Sequence, residues 1–191
     1  MTSQRHIIVI ATGIVLLAIA CLADITWGGY AGSDILLHLR LPRTATALLA
    51  GAAMALSGSQ MQSIFRNPLA DPHIMGISSG AALGAALATM HTGAALAGMS
   101  IAISASIGAA GAAGIILYAS GRFRNASILL IFGVMLGFII TAIVSILQFS
   151  SDAESLKTFY SWSAGSFSNT TWTETGIIAG TLTAGLIIAS F

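Results

Sequence analysis

Charge is scarce in this chain. Its 191 residues include 7 Lys+Arg and 6 Asp+Glu, 7% charged in all, where a soluble domain carries roughly 25% because its surface must face water. That excludes an ordinary water-soluble enzyme. With 56% hydrophobic residues and a mean hydropathy of +0.92, most of the surface must face lipid or other helices. A formal net charge of +1 leaves no basic field for nucleic acid and no acidic tail. Cysteine is equally sparse. Cys21 stands alone, so it can make no intramolecular disulfide and no metal-ligand spacing, and it reads as a small buried apolar residue. Of the three prolines, Pro42, Pro68 and Pro72, two fall within one short stretch.

Apolar length, by contrast, is abundant. A bilayer core of ~30 Å needs about 20 apolar residues as a helix, and on that test the chain divides into six apolar runs, at 7–23, 44–61, 74–90, 94–120, 126–149 and 176–191. The expected fold is an all-α, polytopic transmembrane helical bundle. The second and third runs are richer in Gly, Ala and Ser than in Leu, which makes them marginal on hydropathy and dependent on protein neighbours. The last run stops at Phe191 while still apolar, with no cap, basic flank or polar tail, so the chain reads as cut off within a helix. Arg5 followed by an apolar stretch ending in Leu17-Ala18-Ile19-Ala20-Cys21 has the outline of a secretory signal, but five further apolar runs make an uncleaved first span the simpler account.

Orientation follows from the charges between runs. With the N-terminus inside, Arg5, Arg66, Arg122 and Arg124 lie inside and Arg40, Arg43 and Lys157 outside, a small bias toward that topology. Trp27, Trp162 and Trp172 then fall in the two long outer segments, as an interfacial aromatic belt requires.

Small residues recur four apart. Gly76, Gly80 and Gly84 form two overlapping GxxxG units, Gly133, Gly137, Thr141 and Ser145 continue the spacing in the fifth run, and Ser104, Gly108 and Ala112 do so in the fourth. In lipid, burying apolar surface between helices gains almost nothing, so such stripes serve as packing seams through van der Waals contact; helices that slide or line a pathway use the same pattern. Charge is missing from the middle of every run. Ion-driven carriers keep an ionisable group there, so a proton relay is disfavoured, and uphill transport would draw its energy from another subunit. His6, His38, His73 and His91 sit at or beyond run ends without partners at ligand spacing. No GxxxxGK[ST] pattern occurs, so the chain binds no ATP through a P-loop. Neither a catalytic constellation nor a cofactor or metal site is expected.

Two connecting segments are unusually specific. In Leu39-Arg40-Leu41-Pro42-Arg43, Pro42 biases Leu41 toward extended geometry, placing two arginines on a stiffened segment at a helix start. A cation there opposes the helix dipole, so a partner carboxylate is expected; snorkelling to lipid phosphates is the alternative. In Phe65-Arg66-Asn67-Pro68-Leu69-Ala70-Asp71-Pro72-His73, two prolines four apart, one directly preceded by Asn and the other by Asp, specify a rigid non-helical turn. It reads as a gate or subunit contact, or as a plain tight turn.

These residues carry a family resemblance. Leu39 to Arg43, Gly51-Ala52-Ala53-Met54-Ala55-Leu56-Ser57-Gly58, Met61-Gln62, Phe65 to Pro72, Gly76-Ile77-Ser78-Ser79-Gly80 and Trp162-Ser163-Ala164-Gly165-Ser166-Phe167 with Trp172 resemble the signature of FecCD-type permeases. Those are the membrane subunits of ABC importers for iron–siderophore complexes, haem and cobalamin. The resemblance implies a bundle of about ten helices with a cytoplasmic N-terminus in the inner membrane, of which residues 1–191 would form a single truncated permease domain. It implies a second permease subunit, the same or different, a cytoplasmic ATPase dimer and an extracytoplasmic solute-binding protein, beside membrane lipid. By the same resemblance Arg40 and Arg43 match the external arginines that dock the binding protein, and Asn67, Pro68 and Leu69 match an inner turn near the cytoplasmic gate. Ser127 lies where the following loop approaches that gate, although Ala126 departs from the hydroxyl residue sometimes found there. Gly133 and Gly137 would border the pathway between permease copies. An iron–siderophore importer subunit is thus the leading expectation, followed by haem or cobalamin import; an ion-coupled carrier and a membrane scaffold are the competing classes.

Overall fold

The computed structural model describes residues 2–26, 33–68, 70–71, 73–91, 98–123, 125–168 and 170–189. Every regular element among the described residues is helical. Helix α1 covers Thr2–Thr26, α2 is a single turn at Ser33–Ile35, and a π-turn occupies Leu36–Arg40. There follow α3 (Leu41–Phe65), α4 (Ile77–His91), α5 (Gly98–Ser120), α6 (Ala126–Phe149), α7 (Ala153–Ala164) and α8 (Trp172–Ala189). Trp27, Leu69, Pro72, Arg124 and Phe191, singled out above, lie outside the described residues.

Four of these helices are long and apolar enough to cross a membrane: Gln4–Thr26 of α1, Ser100–Ser120 of α5, and α6 and α8 whole. The expected six are not reached on this test. Helix α3 has the length, at 25 residues, but its Gly, Ala, Ser and Gln content dilutes its hydropathy. In α4 the apolar part, Ile77–Met90, is too short, because the run expected from residue 74 begins in a turn that ends at Gly76.

The chain forms two compact units. The larger, Ala55–Gly165, is organised around α4, which packs against α5, α6 and α7. Here the small-residue spacing becomes geometry. A methyl group on Gly80 would lie 2.6 Å from both the Gly108 carbonyl oxygen and the Ala112 methyl; on Gly84 it would overlap the Ser104 carbonyl, and on Gly108 that of Gly80. Only hydrogen fits at these three positions, so α4 and α5 meet backbone to backbone. A second seam joins the start of α4 to α6, where a methyl on Gly76 would stand 2.9 Å from the Gly137 nitrogen and 3.0 Å from the Gly133 oxygen. Gly76 also holds φ +81°, a left-handed conformation that costs other residues about 1–2 kcal/mol. Side chains fill the space beside the seams in two clusters, one of Ala85, Ala86, Ile101, Ala105, Val144 and Phe159, the other of Met75, Ile116, Ala119 and Leu129.

Helix α7 lies in what the hydropathy pattern left as an outer connector. Asp152 caps it, its carboxylate accepting from the amides of Glu154 (3.1 Å) and Ser155 (3.0 Å), and Phe159 inserts into the first cluster with Trp162 against it. Trp162 is thus half-buried against that cluster. The smaller unit, Met1–Met54 with Ser166–Phe191, contains α1 and α8, whose apolar faces are almost wholly uncovered.

Two outcomes follow from this packing. Gly108→Val should lower the unfolding midpoint in detergent and broaden the size-exclusion peak, at the overpacking cost of ~1–3 kcal/mol or more, whereas Gly111→Val, with nothing within 4 Å of its added carbon, should change neither. Hydrogen bonds from the Ser155 amide and hydroxyl hold the Asp152 carboxyl below its usual pKa of 3.8. Because the folded-state value is lowered, the cap's contribution is complete above the ordinary carboxylate range and is lost as pH falls through the folded value. Emission from Trp162 should therefore shift on acidification below about pH 4, and Asp152→Asn should remove that component of the transition.

Candidate functional site

Proline dictates the geometry at the first candidate segment. In an α-helix the Pro42 ring would strike the carbonyl four residues back, and the ring has no N–H to donate. The chain answers with a wider turn: the Leu41 amide donates to the Leu36 carbonyl, five residues back, across the π-turn. Leu41 is helical, with φ −62° and ψ −47°, not extended as the residue before proline is expected to be. The helical backbone thus runs unbroken from Ser33 to Phe65, and Arg40 and Arg43 lie within it rather than at its start. The dipole penalty inferred for them disappears.

Their partners lie within the chain. Arg40 Nη1 donates to the Ile25 carbonyl at 2.6 Å, in the last turn of α1, where a cation complements the negative end of the helix dipole. Arg43 Nη2 stands 3.6 Å from Asp24 Oδ1, with the two side chains 54% and 36% exposed. The other Asp24 oxygen accepts from Thr44 Oγ1 at 2.7 Å. Ala23, Asp24, Arg40 and Arg43 together line an open cavity of about 550 Å³. Helix α8 reaches the same turn from the other side: the Trp172 indole donates to the Leu37 carbonyl at 2.8 Å, and Thr175 shares a buried 2.8 Å bond with Thr46. Trp172 is thereby tied to the turn by its indole while its ring stays exposed. Cys21, half-buried, borders a neighbouring groove with Phe167.

The second segment begins where α3 ends. The Asn67 amide donates to the Gln62 carbonyl (3.2 Å) and the Arg66 amide to that of Ser63 (3.3 Å), the paired bonds of a Schellman cap. The left-handed position in such a cap belongs to glycine, yet Arg66 holds it at φ 47°. Pro68 then prevents continuation of the helix, and further turns follow. Ala70 donates to the Asn67 carbonyl at 3.1 Å, and the His73 amide to Asp71 Oδ1 at 2.6 Å. The segment is a series of hydrogen-bonded turns that delivers Met75 and Gly76 into the seam with α6.

Asn67 and Ser127 border one cavity of about 260 Å³, with Phe65, Arg66, Ala126 and Leu130 completing its wall. The Ser127 amide is occupied by the Asn125 side chain at 2.9 Å, the N-cap of α6. Leu69 lies outside the described residues. Gly80 and Gly84 face α5, and Gly133 and Gly137 are buried against Met75 and Gly76 of the same chain, so the face of α6 that they form is taken up by α4. Among the described residues no group of three or more His, Cys, Asp or Glu is placed to hold a metal. Pattern reading did not pair Arg43 or Thr44 with Asp24, whose distance from them along the chain leaves no local signal, nor did it find the strain at Arg66, which only the backbone angle reveals.

Apolar helices joined by glycine seams, with no charged residue in the middle of the four long apolar spans, define a multi-pass helical membrane protein. The chain belongs to the FecCD transport family, whose model matches residues 5–191. It is 36% identical over 152 residues to a vitamin B12 import system permease protein of Salmonella paratyphi A, covering 80% of this chain and 47% of that one. To a molybdate import system permease protein of Haemophilus influenzae it is 39% identical over 142 residues, 73% of this chain and 41% of the other. Among solved structures it resembles a chain described as an inward-facing metal-chelate type ABC transporter, with a TM-score of 0.74 and 33% identity over 85% of this chain and 54% of that chain. The chain therefore spans about half the length of the curated relatives it matches.

Replacing Arg66 by glycine should raise the unfolding midpoint, since a non-glycine residue in a left-handed cap costs about 1 kcal/mol. Arg66→Ala, which keeps the strain, should not.

Proposed function

We propose that this chain is the membrane-spanning permease portion of a binding-protein-dependent ABC importer, carrying a metal chelate across the inner membrane. The family match over residues 5–191 carries the reading, and its relatives are transport permeases. A second permease subunit, a cytoplasmic ATPase dimer and an extracytoplasmic solute-binding protein complete the working assembly. Hydrolysis belongs to the ATPase. The N-terminus is cytoplasmic, which puts the rim with Arg40 and Arg43 outside and the turn with Asn67, Pro68, Leu69 and Ser127 inside. Rim charges steer docking of the binding protein more than they add affinity.

Transport in this scheme is a rocking of helices driven from the ATPase. The absence of charge from the middle of the apolar runs favours an energy source in another subunit over ion coupling. Seams at Gly76, Gly80 and Gly84 present smooth backbone surfaces along which helices can shift. As to cargo, cobalamin draws support from the vitamin B12 permease relatives, and the metal-chelate neighbour supports the broader class. The iron–siderophore expectation rests on the family resemblance alone.

Purification of the full-length protein should bring down an ATPase and a binding protein. In membrane vesicles, uptake should stop when ATP is depleted and ion gradients are kept; uptake that persists would sink the ABC reading. Arg40→Glu together with Arg43→Glu should weaken binding-protein docking in a salt-dependent way and leave membrane insertion intact.

A further inference from the structure

The two rim arginines do different work. Arg40 spends its guanidinium inside the chain, on the Ile25 carbonyl at 2.6 Å, and its side chain is half-buried. Among the described residues Arg43 pairs with Asp24, at 3.6 Å and in a mostly solvated pair, a distance beyond a good charge-assisted hydrogen bond of ~2.7–2.9 Å. Asp24 meanwhile has a shorter bond elsewhere, to Thr44 at 2.7 Å. It can lose Arg43 and remain fixed.

We propose that Asp24 is an internal stand-in for a partner's carboxylate: Arg43 is the exchangeable docking cation, released from Asp24 when a carboxylate of the binding protein replaces it, and Arg40 is a positioning residue that fastens the end of α1 to the π-turn. The proposal rests on the docking role proposed above for this rim. Three features of the site support it. The cavity beside the pair is open and, among the described residues, lined by Ala23, Asp24, Arg40 and Arg43, so Arg43 borders space that an incoming carboxylate could occupy. The pair is exposed, and such pairs are worth little, so exchange is cheap. Arg40, Thr44 and the Trp172 bond to Leu37 keep the turn in place while Arg43 changes partners.

A two-part experiment on the full-length permease in nanodiscs tests this. Docking of the co-purifying binding protein is titrated at several salt concentrations, and thermal unfolding of the permease alone is followed separately. Asp24→Asn keeps an acceptor for Thr44 and removes the competing charge, so it should tighten docking by about 1.4- to fivefold, the range for an exposed ion pair. Arg43→Gln should weaken docking, flatten its salt dependence and leave the unfolding midpoint in place. Arg40→Gln should lower the midpoint, and Arg40→Lys, which retains a donor for Ile25, should restore it in part. Docking that is unchanged or weaker in Asp24→Asn overturns the exchange, as does a midpoint that falls equally in Arg40→Gln and Arg43→Gln. Should the wild-type permease bind no binding protein at any salt, the docking reading itself fails, while the unfolding series still decides whether Arg40 anchors α1.

Discussion

Helices in lipid gain almost nothing by hiding apolar surface from one another, so what holds them must be close contact of backbones. In this chain that contact depends on missing side chains. Gly80, Gly84 and Gly108 let α4 and α5 touch, and Gly76, Gly133 and Gly137 do the same for α4 and α6. The rest of the larger unit is arranged by those two seams. Ala85, Ala86 and Ala105 are buried because the helices are already near, and Phe159 of α7 fills the space that small residues leave. The turn after α3 has its form for the same reason: it must deliver Met75 and Gly76 to α6.

A different constraint governs the smaller unit. Helices α1 and α8 are covered by almost nothing along their length, and the hydrogen bonds that tie them to the π-turn and the start of α3 are gathered at one end. Pro42 causes this. By forcing a π-turn it frees backbone carbonyls and brings Arg40, Arg43 and Thr44 toward the last turn of α1, while the Leu37 carbonyl is left for Trp172. The groups around the candidate docking cation, Arg40, Thr44 and Trp172, are therefore also the groups that tie the unit's helices together.

Much of this was legible beforehand. Low charge and long apolar runs required a helical membrane protein, because no other backbone arrangement suits runs of that length and composition. The residues from Leu39 to Gly80 carried the family resemblance that the match over 5–191 now shows. Of the six apolar runs, four correspond to helices that pass a length-and-composition test among the described residues, while α3 and the apolar part of α4 fall short of it through small and polar residues and through length. Hydropathy also passed over α7, whose cap at Asp152 and anchor at Phe159 are local signals too short to register in a window sized for a bilayer.

The amino-acid sequence by itself determined the solvent, the helical class, the small-residue stripes and the places where chain direction changes, because these depend on composition and on spacing along one helix. Which stripe meets which, that Arg40 and Arg43 turn inward to Ile25 and Asp24, and that Arg66 takes a glycine's backbone angle were decided only in three dimensions. Each depends on residues distant in the chain or on a dihedral that propensity argues against, and neither leaves a mark in local sequence.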